Sequence, residues 1–378
     1  MTSDEGARRS SPRLDPEVFA LPVERLRSGY YSDAYFNFTK AVLEHHGHHP
    51  RVLMQVFQKQ ARAVLGGMDE ALAILKLCSG RPVRRAGCGA DAIDDWEPGW
   101  DQLTVHALRD GDELEPWETV MTIEGDYSLF AHLETVYLGV LSRRTLVSTN
   151  VRRVVEAAGG KTILFFPARF DHYRVQTGDG YAAHVAGAIG VSTDAQASWW
   201  GGKGMGTVPH GLIAAYGGDT VEAVRRFADL YYPEVNVVAL VDFHNDCVGT
   251  SLACARALGE RLWGVRLDTA ETMVDKALWH KMGQFRPNGV CPELVWEVRR
   301  ALDAEGFRRV RIVVSGGFDA AKIRAFEAAG VPVDAYGVGS SLLRGSTDFT
   351  ADVVMVEGRP CAKEGRRYRP NPRLELVP

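Results

Sequence analysis

Short apolar stretches in the second half of the chain end on residues able to do chemistry. The ends read Phe166-Pro167-Ala168-Arg169, Gly206-Thr207-Val208-Pro209-His210, Asp242-Phe243-His244-Asn245-Asp246, Arg266-Leu267-Asp268-Thr269, Ser315-Gly316-Gly317 and Gly337-Val338-Gly339-Ser340-Ser341. The last two are paired glycine turns. Such turns expose backbone N–H groups to an anion, and Ser315, Ser340 and Ser341 add hydroxyl donors. Phosphate binding is the chemistry they suggest. Asp242 and Asp268 could hold Mg²⁺ or accept sugar hydroxyls, or could cap the helices that follow. Arg169 and Arg266 could clamp an anion by bidentate bonds, or close a salt bridge. His210 is a candidate nucleophile or acid–base group.

These residues need elements to hold them. Apolar stretches at Thr162 to Pro167, Ala188 to Ser192, Gly206 to His210, Val237 to Asp242, Leu262 to Leu267, Arg311 to Ser315 and Ala335 to Val338 alternate with amphipathic segments such as Glu222 to Leu230 and Pro292 to Ala304. The alternation predicts a parallel sheet, and an open sheet and a closed barrel both satisfy it. Polar or glycine residues at nearly every strand end favour an α/β fold with an irregular, TIM-like barrel of about seven strands, its site at the C-terminal mouth.

The first part reads as a smaller α+β domain. It carries a helical stretch at Tyr31 to Leu43, a strand at Arg51 to Gln58, a helix at Asp69 to Lys76, a turn at Arg109-Asp110-Gly111-Asp112 and a β-like run at Trp117 to Ile123. A long helical segment follows from Leu129 to Gly159. The expected division is a flexible leader at 1–20, an α+β domain at 21–130 completed by a tail at 350–378, and a barrel at 131–349.

Bulk numbers exclude several classes. The chain has 378 residues, 46% hydrophobic and 24% charged, with a formal charge of -4. No broad basic surface for nucleic acid is expected. No apolar run reaches the ~20 residues of a membrane helix, and the polar N-terminus is no secretory signal. The 6 cysteines show no CxxC spacing and read as reduced thiols, so a cytoplasmic location is expected. The histidines of His45-His46-Gly47-His48-His49 lack a completing Cys or carboxylate, so no structural metal is expected. The run Gly201-Gly202-Lys203-Gly204-Met205-Gly206 has no Rossmann context. Glycine is in excess at 39 residues, against ~7% in an average chain.

Taken together, the chain resembles nicotinate phosphoribosyltransferase and, more broadly, the type II phosphoribosyltransferases. The resemblance spans residues 31–343. Ser32-Asp33-Ala34-Tyr35, Glu134-Thr135, Phe166-x-x-Arg169, Gly206-Thr207-x-x-His210, Asp242, Gly264 to Thr269, Ser315-x-x-Phe318-Asp319 and Gly337-Val338-Gly339 carry it. It implies transfer of a phosphoribosyl group from phosphoribosyl pyrophosphate to nicotinate, with Mg²⁺, and with ATP as co-substrate through a phosphohistidine at His210. It also implies a homodimer or higher homo-oligomer with a shared site. Tyr35 of a partner subunit and Phe166 would sandwich the pyridine ring. Arg169 and Arg266 would bind carboxylate or phosphate, with Thr207 beside them, and Lys59 would reach the pyrophosphate across the dimer. Asp242 and Asp268 would sit by the ribose. Ser315, Gly316, Gly317, Gly337, Gly339 and Ser340 would hold the 5-phosphate.

The chain departs from the family pattern at several points. Asp242-Phe243-His244-Asn245 replaces an Asp-Thr-Tyr-Asp type of sequence. Thr269-Ala270-Glu271 replaces Ser-Gly-Asp, and Ser315-Gly316-Gly317 replaces Ser-Asn-Asp. Ile189 stands where some relatives carry a polar, substrate-reading residue. Nicotinamide or another pyridine remains an alternative substrate, and a non-catalytic phosphoribosyl-metabolite-binding relative an alternative role. A sugar-phosphate isomerase or aldolase would need a Lys or Glu base at a strand end, and none stands there.

Overall fold

The computed structural model describes residues 12–83 and 95–378. The chain divides into two compact units, one of residues 1–149 with 345–378 and one of residues 150–344. Cys88 and residues 1–11 of the expected leader lie outside the described residues.

The first unit is built on an antiparallel sheet. Its strand order is Arg359–Pro360, Phe349–Val356, Arg51–Gln58, Thr119–Asp126, Thr104–Ala107 and Glu375–Leu376. The tail therefore supplies strands, and Phe349–Val356 pairs along the central Arg51–Gln58. Strand Arg51–Gln58 is paired along both edges, and its side chains from Met54 on are buried. Helix Met68–Cys78 buries every residue but Lys76 and Leu77. Met68, Leu72 and Leu75 join Met54, Val56, Met121 and Ile123 in one core. Residues from Arg13 onward are not loose: Arg13 pairs with Asp69 at 2.8 Å, and Phe19 is buried. In the histidine run, His49 meets Asp126 at 2.9 Å.

The second unit is a parallel sheet of six strands. They are β1 (Thr162–Phe165), β2 (Gly190–Val191), β3 (Val237–Leu240), β4 (Leu262–Leu267), β5 (Arg311–Val314) and β6 (Ala335–Val338). The order across the sheet is β3-β4-β5-β6-β1-β2, with every pairing parallel. Helices cover it, including α1 (Gln176–Val185), α2 (His210–Ala215), α3 (Thr220–Tyr231), α4 (Cys247–Leu258), α5 (Pro292–Ala304) and α6 (Ala320–Ala328). Strands buried on both faces read as short unbroken apolar runs, as Val237 to Leu240 shows. Leu164, Val238, Val313 and Ala335 form an inner cluster, and Phe166 caps it.

The expected strand at Gly206 to His210 does not form. Pro209 has no N–H to give a ladder, and Gly206 weakens extended backbone. The segment still joins both sheet edges. Met205 N–H donates to Val191 O at 2.7 Å, and Val208 N–H to Val238 O at 3.3 Å. The barrel thus has six strands and an irregular seventh station. Among the described residues no helix is long and apolar enough to cross a membrane. Cys78, Cys247, Cys254, Cys291 and Cys361 are free.

One buried acid sets a pH dependence. Burial pushes the Glu134 carboxyl up from 4.5 to about 8, although the Tyr127 hydroxyl bonds to it. Its protonated form is the one the fold prefers. That contribution is complete below about pH 4.5 and is lost as the pH rises through about 8. Thermal melts between about pH 5 and 9 should show the wild type losing stability more steeply than Glu134→Gln. Parallel curves would contradict this.

Candidate active site

The C-terminal ends of the strands open on a cavity of about 770 Å³. Arg266, the last but one residue of β4, organises it. Its Nε donates to Ser315 Oγ at 2.8 Å, Nη1 to Thr207 Oγ1 at 3.0 Å and Nη2 to Asp268 Oδ2 at 2.9 Å. Ser315 Oγ in turn donates to Asp268 Oδ1 at 2.7 Å. The guanidinium lies 5.6 Å from the Phe166 ring centroid, a cation–π distance. One fork thus fixes residues from the β4 end, the β5 end and the irregular segment. Of the two readings for Arg266, the internal ion pair is the one the structure shows.

His210 opens α2. Its Nε2 lies 3.0 Å from Asp242 Oδ1. The carboxylate is 7% exposed and the imidazole 47% exposed. Burial pushes the Asp242 carboxyl up, and His210 pulls it back. Asp242 is not a helix cap: Asp246 caps α4, accepting from Gly249 N at 3.0 Å. Asp268 is no cap either, being spent on Arg266 and Ser315.

The two glycine turns face this group. Gly316 and Gly317 both take left-handed backbone, at φ 85° and 68°, which glycine adopts without strain. Among the described residues the amides of Gly316, Gly317, Gly339 and Ser340 have no acceptor. They form a ready cradle for an anion. Ser341 Oγ is already used, donating to Phe318 O at 2.8 Å. Gly337 serves packing instead: a Cβ there would stand 2.7 Å from Phe166 Cε2.

Phe166, Arg169, Thr207, His210, Arg266, Asp268, Ser315, Gly316, Gly317, Gly337, Gly339 and Ser340 all line this one cavity. Asp242 stands just behind it through His210. Arg169 is exposed at the rim and its guanidinium lies 5.5 Å from the Phe170 ring centroid. Tyr35 and Lys59 belong to the first unit. Tyr35 is 59% exposed on helix Ala34–His45, and Lys59 meets Asp348 at 3.9 Å. Ile189 is 70% exposed just before β2, at the opposite end of that strand from the mouth, and is not among the lining residues. It therefore says nothing about acid against amide. Residues missed in the sequence are Phe170, Glu271 and Arg344, which also line the cavity. Glu271 stands three residues past Asp268 on the same loop, a spacing that could have marked it.

Residues 33–145 match the family described as quinolinate phosphoribosyl transferase, N-terminal domain. Nicotinate phosphoribosyltransferase pncB1 of Mycobacterium tuberculosis is 32% identical over 305 residues, covering 75% of this chain and 63% of the relative. The chain thus spans 63% of that relative's length. The crystal structure of nicotinate-nucleotide pyrophosphorylase from Pyrococcus furiosus is 33% identical, covers 95% of this chain and 85% of that one, and superposes with a TM-score of 0.76. Human nicotinic acid phosphoribosyltransferase, at 18% identity and 88% and 76% coverage, shares the fold with a TM-score of 0.62. The fold and the mouth define a type II phosphoribosyltransferase barrel. The chain belongs to the phosphoribosyltransferase family of that Pyrococcus furiosus pyrophosphorylase, and is similar to curated nicotinate phosphoribosyltransferases.

The contact between Gly337 and Phe166 is open to a direct check. Gly337→Ala should displace the Phe166 ring from the mouth while β6 keeps its pairing with β1. A crystal structure of the variant with the ring unmoved would contradict the packing argument.

Proposed function

We propose that this protein transfers the phosphoribosyl group of phosphoribosyl pyrophosphate to nicotinate, giving nicotinate mononucleotide and pyrophosphate. The observation that supports it best is the joining in one mouth of the free-amide cradle, the Arg266–Asp268–Ser315 network and the His210–Asp242 pair. The family supplies the same reading.

The pyridine nitrogen is already nucleophilic, so no strong base is needed. The barrier lies in breaking the C1–pyrophosphate bond, as positive charge grows on the sugar. The cradle amides would hold the 5-phosphate and fix the ribose. Asp268, oriented by Arg266, would face the developing cation. Phe166 would offer its face to the pyridine ring, and the exposed cations Arg169 and Arg344 suit a carboxylate. Mg²⁺ usually binds through one or two carboxylates plus substrate phosphates. Asp242 and Asp268 would be the carboxylates to hold it, and when bound it would supply charge neutralisation for the pyrophosphate leaving group. The electron pair of the C1–O bond departs with pyrophosphate, and the nitrogen lone pair forms the new bond.

ATP coupling would run through His210. With Nε2 3.0 Å from Asp242 Oδ1, the tautomer that donates to the carboxylate would leave Nδ1 as the nucleophile. Nδ1 would take the γ-phosphoryl group and ADP would leave. The shared site would form in a homo-oligomer, with Tyr35 and Lys59 supplied by a second copy, in the cytoplasm.

Purified protein with labelled nicotinate, phosphoribosyl pyrophosphate, Mg²⁺ and ATP should yield the mononucleotide. Nicotinamide and quinolinate run beside it, and faster turnover of either overturns the substrate assignment. Phosphorus NMR after incubation with ATP should show phosphate on Nδ1 of His210. His210→Asn should remove that signal and the ATP-dependent part of the rate. A phosphate signal that persists in His210→Asn would exclude the phosphohistidine.

A further inference from the structure

We propose that Glu271 is the hydroxyl-reading residue of this mouth, its carboxylate accepting the ribose hydroxyls from a place that a side chain on the Gly316–Gly317 turn would otherwise fill. The proposal rests on the phosphoribosyl reading above.

Three carboxylates line the cavity: Asp268, Glu271 and Asp319. Two are spent. Asp268 holds Arg266 and Ser315. Asp319 caps α6, accepting from Lys322 N at 2.9 Å. Glu271 makes no hydrogen bond or ion pair with the described residues. Among the described residues it is the lining carboxylate that no protein group orients.

Its position is defined. A Cβ built on Gly317 would stand 2.1 Å from Glu271 Oε1 and 3.0 Å from Cδ. The carboxylate therefore lies directly against the turn, in the space of a residue-317 side chain. Its backbone is fixed as well. Gly289 N–H donates to Met273 O at 2.9 Å, and Val274 bridges Asn288, which closes the loop at its root. A Cβ on Gly289 would stand 3.1 Å from Glu271 Cα, so the two backbones meet closely.

The chemistry follows from charge. An ionised carboxylate only accepts hydrogen bonds, and it repels phosphate. Beside a cradle of free amides it suits a ligand that carries hydroxyls next to its phosphate. Lys322 feels the Glu271 charge, but its Nζ donates to Gly316 O at 3.4 Å, and burial holds it below its usual pKa despite that charge. Two of the sequence departures then belong together. The side chain missing from the Ser315-Gly316-Gly317 turn leaves room for the longer acid that Thr269-Ala270-Glu271 carries in place of Asp: the loop keeps its acid and extends it into the space of the turn.

Calorimetry on the full-length protein tests this with ribose 5-phosphate and 2-deoxyribose 5-phosphate. The wild type should prefer the ribose compound by roughly tenfold, the worth of a hydrogen bond to a charged group. Glu271→Gln should lose most of that preference while still binding both. Glu271→Ala with Gly317→Asp should regain it, since Asp tolerates left-handed backbone better than most residues. A preference that survives in Glu271→Ala, or a wild type blind to the hydroxyl, overturns the proposal and leaves the phosphoribosyl reading standing. A double variant no better than Glu271→Ala overturns the claim that the loop acid and a residue-317 side chain share one place. Binding of neither sugar phosphate by the wild type overturns the phosphoribosyl reading itself, and the proposal with it.

Discussion

The mouth depends on the three-way fork of Arg266. A guanidinium offers donors in a fixed plane, so bonds to Ser315, Thr207 and Asp268 set three directions at once. Those partners come from different parts of the chain. A lysine would hold the charge but could not hold the geometry. The ion pair with Asp268 also neutralises the fork locally. What attracts an anion is then the cradle of backbone amides, with Arg169 and Arg344 at the rim. Fixed dipoles of this kind need no rearrangement when charge shifts during a reaction.

The irregular segment before α2 shows why a barrel station can be worth more unformed. A regular strand there would have spent its amides on both neighbours. Instead Met205 donates once to β2 and Val208 once to β3. Val208 is buried, Thr207 reaches Arg266, and His210 reaches Asp242. Two sparse bonds keep the backbone in place. Pro209 stops the ladder and lets α2 begin at His210, with the imidazole half in water.

The barrel was legible because burial on both faces leaves a plain mark. Runs such as Val237 to Leu240 and Arg311 to Val314 need no neighbours to be recognised. The Gly206 to His210 stretch misled for the same reason: Val208 is apolar and buried, yet local proline and glycine outweigh it. The cradle was legible because glycine pairs at late strand ends have few other uses. What each polar group touches was not. Arg266 could have clamped a ligand or closed a salt bridge, and only the fold decides which donor meets Ser315. Glu271 stayed hidden because its meaning depends on Gly317, which lies 46 residues away in sequence and against it in space. The tail at 350–378, expected to complete the first domain, carries most of the eight-residue strand Phe349–Val356, which pairs along the central Arg51–Gln58.

The acids of the mouth divide their work by their partners. Asp242 is buried, which raises the cost of its charge, and His210 is the cation or donor that offsets this. Asp268 is balanced by Arg266 before any ligand arrives. Asp319 is turned to a helix end, where the amides of α6 stabilise its charge. A site that must admit a polyanion can carry Asp242, Asp268 and Asp319 because each is answered locally, which leaves Glu271 as the one acid of the mouth turned to a ligand's hydroxyls. The answering groups are also the ones that orient the acids, so charge balance and geometry are one arrangement. Removing a single partner would then do two things at once: free a negative charge in the mouth, and release the side chain that it aimed. For that reason the net charge of the chain, -4, says little about the mouth. The balance is struck pair by pair, within a few ångströms, where screening by salt is weakest.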